Sequence, residues 1–182
     1  MIDFSIVIPV LNREDFISRA IDSILKQDLK EYEILVVDNG STDGTLDILK
    51  KYQEQNKIKL FNCPTKGVSF ARNVGILNAK GNYIHILDSD NYFPDTKSLE
   101  NLKNIIVSLK TSWNIILTSN LNNKGENISW SNNYNKFLTE KEYLKTSGEF
   151  SITTKKDWYL KNLHPEITGV THEIIFPAFF LA

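Results

Sequence analysis

Residues 32–52 read YEILVVDNGSTDGTLDILKKY, an apolar run followed by a glycine-containing loop and a segment of helical periodicity. The run Tyr32–Val37 is rich in Ile, Leu and Val, as buried strands are. From Thr45 to Tyr52 the apolar residues recur at three- and four-residue spacing, which is typical of a helix with one buried face. A strand that leads through a short loop into a helix is the repeating unit of a parallel sheet with helices on its faces.

The same alternation continues on both sides of this unit. Apolar runs predict three more strands, at Phe4–Val10, Ile58–Phe61 and Tyr83–Leu87. Helical periodicity predicts helices that start at Asp15 and at Val68. The predicted fold class is therefore α/β, with helices on both faces of a mainly parallel sheet.

Two residues are expected to end these elements. Pro9 is expected to end the first strand, because proline cannot donate to a β-ladder. Gly81 is expected to end the third helix as a C′ glycine. Ligands of such sheets bind beyond the carboxyl ends of the strands, so the residues that follow the strands are the candidates for a site.

The second half of the chain is less regular. Its predicted elements are a helix at Ser98–Leu109, a strand at Trp113–Thr118, a loop or hairpin at Asn120–Asn135, a helix at Glu140–Lys145, a strand at Phe150–Thr153 and a helix at Lys155–Asn162. The sequence ends in the apolar run 174–182, which is either a packed helix or the point at which a longer chain continues. We expect residues 1–182 to form one domain with halves 1–95 and 96–182.

Composition excludes several classes of protein. The 182 residues are 41% hydrophobic and 24% charged, which fits one globular domain. A net charge of -1 leaves no basic footprint for nucleic acid. The single cysteine, Cys63, excludes an internal disulfide framework and a multi-cysteine zinc site. We find neither a secretory signal nor an apolar run that could span a membrane, so the expected location is the cytoplasm.

The sharpest chemical signal is Asp88-Ser89-Asp90, directly after the fourth predicted strand. Two carboxylates one residue apart at a strand end can approach one cation, and Mg²⁺ or Mn²⁺ often binds one or two carboxylates and completes its shell with substrate phosphates. The alternative is a solvated turn, because Asp and Ser favour turns. The position at the end of a buried strand favours the cation site.

A second carboxylate, Asp38, follows the strand Tyr32–Val37 and precedes a glycine-containing loop. Asp38 lies too early to cap the next helix and could accept hydrogen bonds from a base or a sugar. For Asp43 we favour capping, since its carboxylate can satisfy free N–H groups at the helix start. Arg72 lies one turn into the third helix, where it is either a surface charge or a partner for a carboxylate or phosphate.

Other catalytic motifs are absent from the sequence. It contains no GxGxxG dinucleotide fingerprint and no GxxxxGK[ST] phosphate loop. It also contains no GxSxG elbow. Hydride transfer, phosphate-loop chemistry and triad hydrolysis therefore lose support.

Together these signals resemble the inverting family 2 glycosyltransferases of the GT-A fold. Members typically read IPxYN, VVDDGSTDGT and GxSxARNxGIxxAxGxYIxFLDxDD, and this chain has IPVLN, VVDNGSTDGT and GVSFARNVGILNAKGNYIHILDSDN in the same order over residues 3–95. Three positions depart from the pattern. Leu11 replaces an aromatic residue, Asn39 replaces the second acid of the loop, and Asn91 replaces the Asp after the paired acids.

The resemblance implies a GT-A three-layer sandwich that binds a nucleotide-sugar donor, with UDP-sugar as the expected donor. It places the base beside Asp38 and the backbone of Pro9 and Val10, and it places Arg72 near the base or the diphosphate. It makes Asp90 the direct ligand of Mn²⁺ or Mg²⁺, with Asp88 facing the ribose or the metal. A cation on the diphosphate would stabilise the charge that develops as it leaves.

An inverting transfer also needs a general base at the acceptor hydroxyl. The family's acid pair is matched only in part by Glu173, because Ile174 stands where the second acid would be. Glu173 is our first candidate for the base and Asp157 the second. His172 is a candidate for a further metal ligand.

Three functions are compared. The first is a metal-dependent glycosyltransferase that acts on a glycan or lipid-linked acceptor, such as a surface polysaccharide, at the cytoplasmic face of the membrane. The second is a non-catalytic or truncated nucleotide-sugar-binding module. The third, a nucleotidyltransferase, is disfavoured because no glycine-rich triphosphate loop occurs early in the chain. The oligomeric state is not indicated by the sequence.

Overall fold

A computed structural model describes residues 2–109, 115–119 and 150–161. The strands in these ranges are β1 (Phe4–Val10), β2 (Tyr32–Asp38), β3 (Lys59–Asn62), β4 (Tyr83–Ile86), β5 (Ile115–Ser119) and β6 (Phe150–Lys155). The helices are α1 (Ile17–Leu25), α2 (Thr45–Glu54), α3 (Val68–Asn78), α4 (Ser98–Ser108) and α5 (Lys156–Lys161). None of these helices is long and apolar enough to cross a bilayer.

The strands of the described ranges form one sheet in the order β3-β2-β1-β4-β6-β5. The first four strands are parallel, and β6 is antiparallel to both of its neighbours. β1 pairs with β2 along its whole length, from Phe4 opposite Tyr32 to Val10 opposite Asp38. β1 pairs on its other side with β4, so it separates the two strands that lead into Asp38 and Asp88. The predicted mainly parallel α/β sheet is confirmed.

Helices cover both faces of the sheet. Because successive side chains of a strand point to opposite faces, β1 contributes residues to the core on each side. On one face, Ile6 and Ile8 of β1 belong to a core cluster that includes residues of α1, α2 and α4. On the other face, Val7 belongs to a cluster with Ile76 of α3 and Tyr159 of α5. All five side chains are fully buried, and each contributes about 1.5–3 kcal/mol to stability. The result is a three-layer sandwich with β1 at its centre.

Gly75 allows α3 to pack directly on β1. A Cβ built on Gly75 would lie 2.3 Å from Val7 Cγ1 and 3.3 Å from Val37 Cγ2. No side chain fits at this position without movement of the helix or the strand. Since α3 carries Arg72, this close contact also sets the depth at which Arg72 reaches the end of the sheet.

Two expectations about element ends were wrong. Pro9 lies inside β1, opposite Val37. Its missing N–H faces the β4 side, and the β1–β4 pairing reaches only to Val7, so no ladder bond is lost. Gly81 does not cap α3, which ends at Asn78, and its φ is not positive. A Cβ on Gly81 would lie 2.6 Å from Ser5 N, so the backbone of β1 explains this glycine.

The other predicted bounds agree with the structure within three residues wherever the structure describes them. The predicted loop at Asn120–Asn135, the helix at Glu140–Lys145 and the apolar run 174–182 lie outside the described residues.

Candidate active site

The carboxyl ends of β1, β2 and β4 meet at one edge of the sheet. Asp38 is the last residue of β2, and Asp88 and Asp90 follow β4 by a few residues. Pro9 and Val10, at the end of β1, lie between them and are buried. This is the edge at which open α/β sheets bind ligands.

Asp38 shapes the loop that follows it. Its carboxylate accepts hydrogen bonds from Gly40 N at 3.2 Å and from Ser41 N at 3.2 Å and 3.3 Å. Gly40 has a φ of 91°, a left-handed conformation that glycine adopts without strain. The loop therefore folds back over the end of β2, with the Asp38 carboxylate as the acceptor at its centre.

Asn39, a departure from the family pattern, joins two loops. Its side-chain amide donates to Thr65 O at 2.7 Å and Cys63 O at 3.2 Å, and its Oδ1 accepts from Gly67 N at 2.7 Å. The residue is 4% exposed, and these three hydrogen bonds satisfy its buried amide group. An ionised Asp could not donate to either carbonyl, which explains why an amide suits this position in this chain.

The loops after β1 and β2 are also bonded to each other. Asn12 N donates to Ser41 Oγ at 3.0 Å, and Thr42 N donates to Asn12 Oδ1 at 2.8 Å. The Asp43 carboxylate accepts from Thr45 N, the first residue of α2, at 3.0 Å, so it satisfies a free N–H at the helix start as expected, from the position before the N-cap residue Gly44. Hydrogen bonding from Thr45 holds the pKa of Asp43 below its usual value. The loops after β1 and β2 are therefore joined by hydrogen bonds at this edge of the sheet.

Arg72 and Asp88 form an ion pair at the edge. Arg72 Nη2 donates to Asp88 Oδ1 at 3.0 Å, and the two side chains are 12% and 38% exposed. Arg72 Nε is buried and has no hydrogen-bond partner among the described residues. The guanidinium thus retains an unused donor while one of its nitrogens holds a carboxylate of the Asp88-Ser89-Asp90 segment.

Asp90 is more exposed and is approached by two arginines of the first loop and α1. Its Oδ2 lies 3.7 Å from Arg13 Nε, which is too long for a hydrogen bond. Its main-chain carbonyl accepts from Arg19 Nη2 at 2.8 Å. Sequence reasoning missed both arginines, because each is 70 or more positions from Asp90 and only the folded sheet brings them together.

The donor set of Asp88 and Asp90 suits a hard divalent cation. Both groups are carboxylates, and Asp90 has no hydrogen bond to its side chain among the described residues. Within those residues no group of three His, Cys, Asp or Glu side chains could hold a metal by itself. Asp88 and Asp90 would therefore need further ligands, such as phosphate oxygens, to hold Mg²⁺ or Mn²⁺.

The candidates for the base do not join this cluster in the described structure. Asp157 lies in α5, directly after β6, and Lys155 of β6 is opposite Tyr83 at the start of β4. Asp88 follows the other end of β4, about 17 Å away at a strand rise of about 3.3 Å per residue. Asp157 thus lies at the opposite edge of the sheet, because β6 runs antiparallel. His172 and Glu173 lie outside the described residues.

His85 is a core residue of β4. It is 1% exposed, its Nδ1 lies 2.7 Å from Thr153 Oγ1, and its ring packs 5.3 Å from that of Phe93. Burial lowers the pKa of His85 from 6.5 to about 4, so the ring is neutral at pH 7.

Comparison with known proteins decides the family. The model of glycosyl transferase family 2 matches residues 5–166 of this chain. This chain belongs to glycosyl transferase family 2. The chondroitin synthase of Pasteurella multocida is 32% identical over 159 residues, which cover 86% of this chain and 16% of the synthase. WfaP of Escherichia coli, a UDP-Glc:alpha-D-GlcNAc-diphosphoundecaprenol beta-1,3-glucosyltransferase, is 42% identical over 93 residues, which cover 51% of this chain and 37% of WfaP.

Solved structures of glycosyltransferases share the fold. Residues 1–349 of S. aureus TarS in complex with UDP-GlcNAc give a TM-score of 0.68 at 23% identity, covering 88% of this chain and 47% of that chain. The mannosyltransferase PcManGT from Pyrobaculum calidifontis, in complex with GDP-Man and Mn²⁺, gives a TM-score of 0.61 at 18% identity, covering 87% and 46%. The family 2 chain thus has the GT-A fold and spans about half of each of these two solved chains.

Proposed function

We propose that this family 2 chain binds a UDP-sugar with a divalent cation and transfers the sugar to a glycan or lipid-linked acceptor with inversion. The observation that carries the proposal is the grouping of Asp38, Arg72, Asp88 and Asp90 at the carboxyl edge of β2 and β4. The complex of TarS with UDP-GlcNAc and the name of WfaP support a UDP-sugar as donor.

Each residue has a role in this proposal. The Asp38 carboxylate and the backbone of Pro9 and Val10 bind the base, and Arg72 turns its unused Nε toward the nucleotide while it orients Asp88. Asp88 and Asp90 would hold Mn²⁺ or Mg²⁺. A bound cation would supply a Lewis acid for the negative charge of the leaving diphosphate. The PcManGT complex with Mn²⁺ supports a divalent metal.

Glu173 accepts the proton of the acceptor hydroxyl in this proposal. The acceptor oxygen then attacks the anomeric carbon from the side opposite the diphosphate, the bond to the diphosphate oxygen breaks, and the nucleoside diphosphate leaves. Inversion follows from this single displacement. Asp157 is not retained as a base, because it lies at the other edge of the sheet. His172 stays a proposed additional ligand.

The acceptor and the location rest on relatives alone. The name of WfaP contains a lipid diphosphate, and chondroitin synthase is named for a polysaccharide. We propose a glycan or lipid-linked acceptor at the cytoplasmic face of the membrane on this support.

The test is calorimetric titration with UDP, GDP and CDP, each with and without Mn²⁺. We expect UDP to bind most tightly, and we expect Mn²⁺ to raise its affinity at least tenfold. Asp90→Asn should remove the gain from Mn²⁺. Asp47→Asn is the matched control, because Asp47 is an exposed acid on α2 whose side chain is 81% accessible.

A transfer assay separates the two candidate functions. Release of UDP from a UDP-sugar that depends on Mn²⁺ and on Asp90 supports the enzyme. Binding of UDP with Mn²⁺ but no turnover with any acceptor supports a donor-binding module, as the incomplete acid pair at Glu173 and Ile174 would explain. Absence of nucleotide binding by the wild-type chain would refute both.

A further inference from the structure

We propose that α1 and the residues directly after it position the metal-binding segment through one stripe of polar side chains, Arg19, Ser23 and Gln27. This inference rests on the proposed function, because it assigns these residues to the cation and diphosphate held by Asp88 and Asp90. The stripe touches no reacting atom. It acts through the backbone of residues 90–99, which connects the paired acids to α4.

Arg19 and Ser23 lie four positions apart on one face of α1, and Gln27 follows the helix two positions after its last residue, Leu25. Arg19 Nη2 donates to Asp90 O at 2.8 Å. Ser23 Oγ accepts from Phe93 N at 3.1 Å. Each residue of the stripe bonds to a successive part of the segment, so the helix and the segment are held in one register.

Gln27 provides the third and deepest attachment. Its Nε2 donates to Asp95 O at 2.6 Å, and its Oε1 accepts from Leu99 N at 3.0 Å. The residue is fully buried, and its amide bonds both to the segment and, through Nε2, to Ser23 O of α1. A shift of the segment by one residue would leave these buried groups unsatisfied, which is costly.

Of the three residues of the stripe, Arg19 contacts the segment closest to the metal-binding carboxylates. Its guanidinium lies 4.6 Å from the ring centroid of Tyr92 and 5.7 Å from that of Phe16, within the range of cation–π contacts. It therefore reaches the main chain of Asp90 from a fixed position and makes no bond to the Asp90 carboxylate. This hydrogen bond fixes the main chain of Asp90 and hence the position from which its carboxylate side chain extends.

The segment needs this support because β4 ends at Ile86, before the paired acids. Between Asp88 and Asn91 the described backbone makes one turn bond, from Asn91 N to Asp88 O at 2.9 Å. Residues that orient metal ligands typically change metal affinity 10- to 100-fold when they are removed. We therefore expect the stripe to affect the metal-dependent part of donor binding and not the part that depends on the base.

The experiment measures UDP affinity by calorimetry with Mn²⁺ and with EDTA for the wild type, Arg19→Ala, Arg19→Lys and Ser23→Ala. In both alanine variants we expect the gain from Mn²⁺ to fall at least fivefold, with UDP affinity in EDTA within twofold of the wild type. Arg19→Lys should recover most of the gain, since an ammonium can donate to Asp90 O. Lys26→Ala is the matched control, because Lys26 is an exposed cation at the end of the same helix.

Each outcome decides the inference. A gain from Mn²⁺ that stays within twofold of the wild type in Arg19→Ala and Ser23→Ala overturns it while leaving the proposed function intact. An equal loss of affinity with Mn²⁺ and with EDTA also overturns it, because it indicates general damage to the fold. If the wild type itself does not bind UDP, the proposed function fails and the inference falls with it. Thermal melting of each variant checks that it is folded.

Discussion

Arg72 Nη2 donates to Asp88 Oδ1 at 3.0 Å, and this bond links α3 to the segment that follows β4. Hence the first carboxylate of the pair has a cationic partner before a ligand binds. The arginine keeps a buried Nε with no partner among the described residues. This Nε can therefore donate a hydrogen bond to a further acceptor, such as an oxygen of a nucleotide.

Replacement of Arg72 by Met tests this link. We expect UDP affinity in Mn²⁺ to fall at least tenfold, because charge-assisted hydrogen bonds contribute about 1.5–3 kcal/mol. Calorimetric titration measures the change. Lys50→Ala removes an exposed cation on α2 and should leave UDP affinity unchanged. An affinity of Arg72→Met within twofold of the wild type would contradict the assigned role.

Gly75→Ala should destabilise the chain by about 1–3 kcal/mol, because its Cβ would lie 2.3 Å from Val7 Cγ1. Urea unfolding measures the loss. In the Val7→Ala background the same substitution should cost less, since the clashing methyl groups are gone. Equal costs in the two backgrounds would show that the contact between α3 and β1 is not the reason for this glycine.

Glu33 is a buried acid whose ionised form is held by three donors. Its carboxylate accepts from Lys59 Nζ at 2.6 Å, from Ser5 Oγ at 2.6 Å and from Lys80 N. Burial acts to raise the pKa of Glu33, but these hydrogen bonds outweigh it and lower the pKa below 4.5. The resulting stability is present above pH 4.5 and is lost as the pH falls through the lowered pKa.

Glu33→Gln should therefore lower the free energy of unfolding at pH 7 by about 2 kcal/mol and flatten its decline below pH 4.5. Urea unfolding at several pH values measures both effects. Glu54→Gln, an exposed acid on α2, is the control and should change neither. An unchanged slope below pH 4.5 in Glu33→Gln would disprove the assignment.

His85 predicts a second pH dependence at higher pH. The unfolded chain takes up a proton near pH 6.5, whereas the buried ring resists it until about pH 4. Stability is therefore lost as the pH falls from 6.5 toward 4, by about 2 kcal/mol between pH 7 and pH 5. His85→Gln should abolish this loss in chemical denaturation. The same loss in wild type and variant would assign it to another group.

The sequence predicted the sheet well because its central strands are continuous apolar runs. β1 was placed at its exact bounds, since the strand is buried on both faces and Ser5 is the one hydroxyl residue in an otherwise apolar run. Gly81 was misread because a glycine after a helix looks the same whether it caps the helix or meets a neighbouring backbone. Only the packed structure distinguishes these two causes.

The residues of the site could be predicted only where a sequence motif lies at the end of a predicted strand. Asp38, Asp88 and Asp90 follow strands directly, so the sequence could place them at one edge. Asn39, Arg13 and Arg19 act through partners far along the chain, and no local pattern reveals such contacts. The sequence could not place Asp157 relative to the site, because it predicts the strand β6 but not its direction.

The position of β1 between β2 and β4 has a geometric consequence. Asp38 and Asp88 are separated by two interstrand spacings, about 10 Å in total. The middle strand contributes no acid of its own, yet its width sets the distance that any molecule must span to touch both carboxylates. A compound that joins a flat ring to a phosphate through a pentose has the reach for this gap, whereas a free sugar phosphate or a lone base would engage only one side of it.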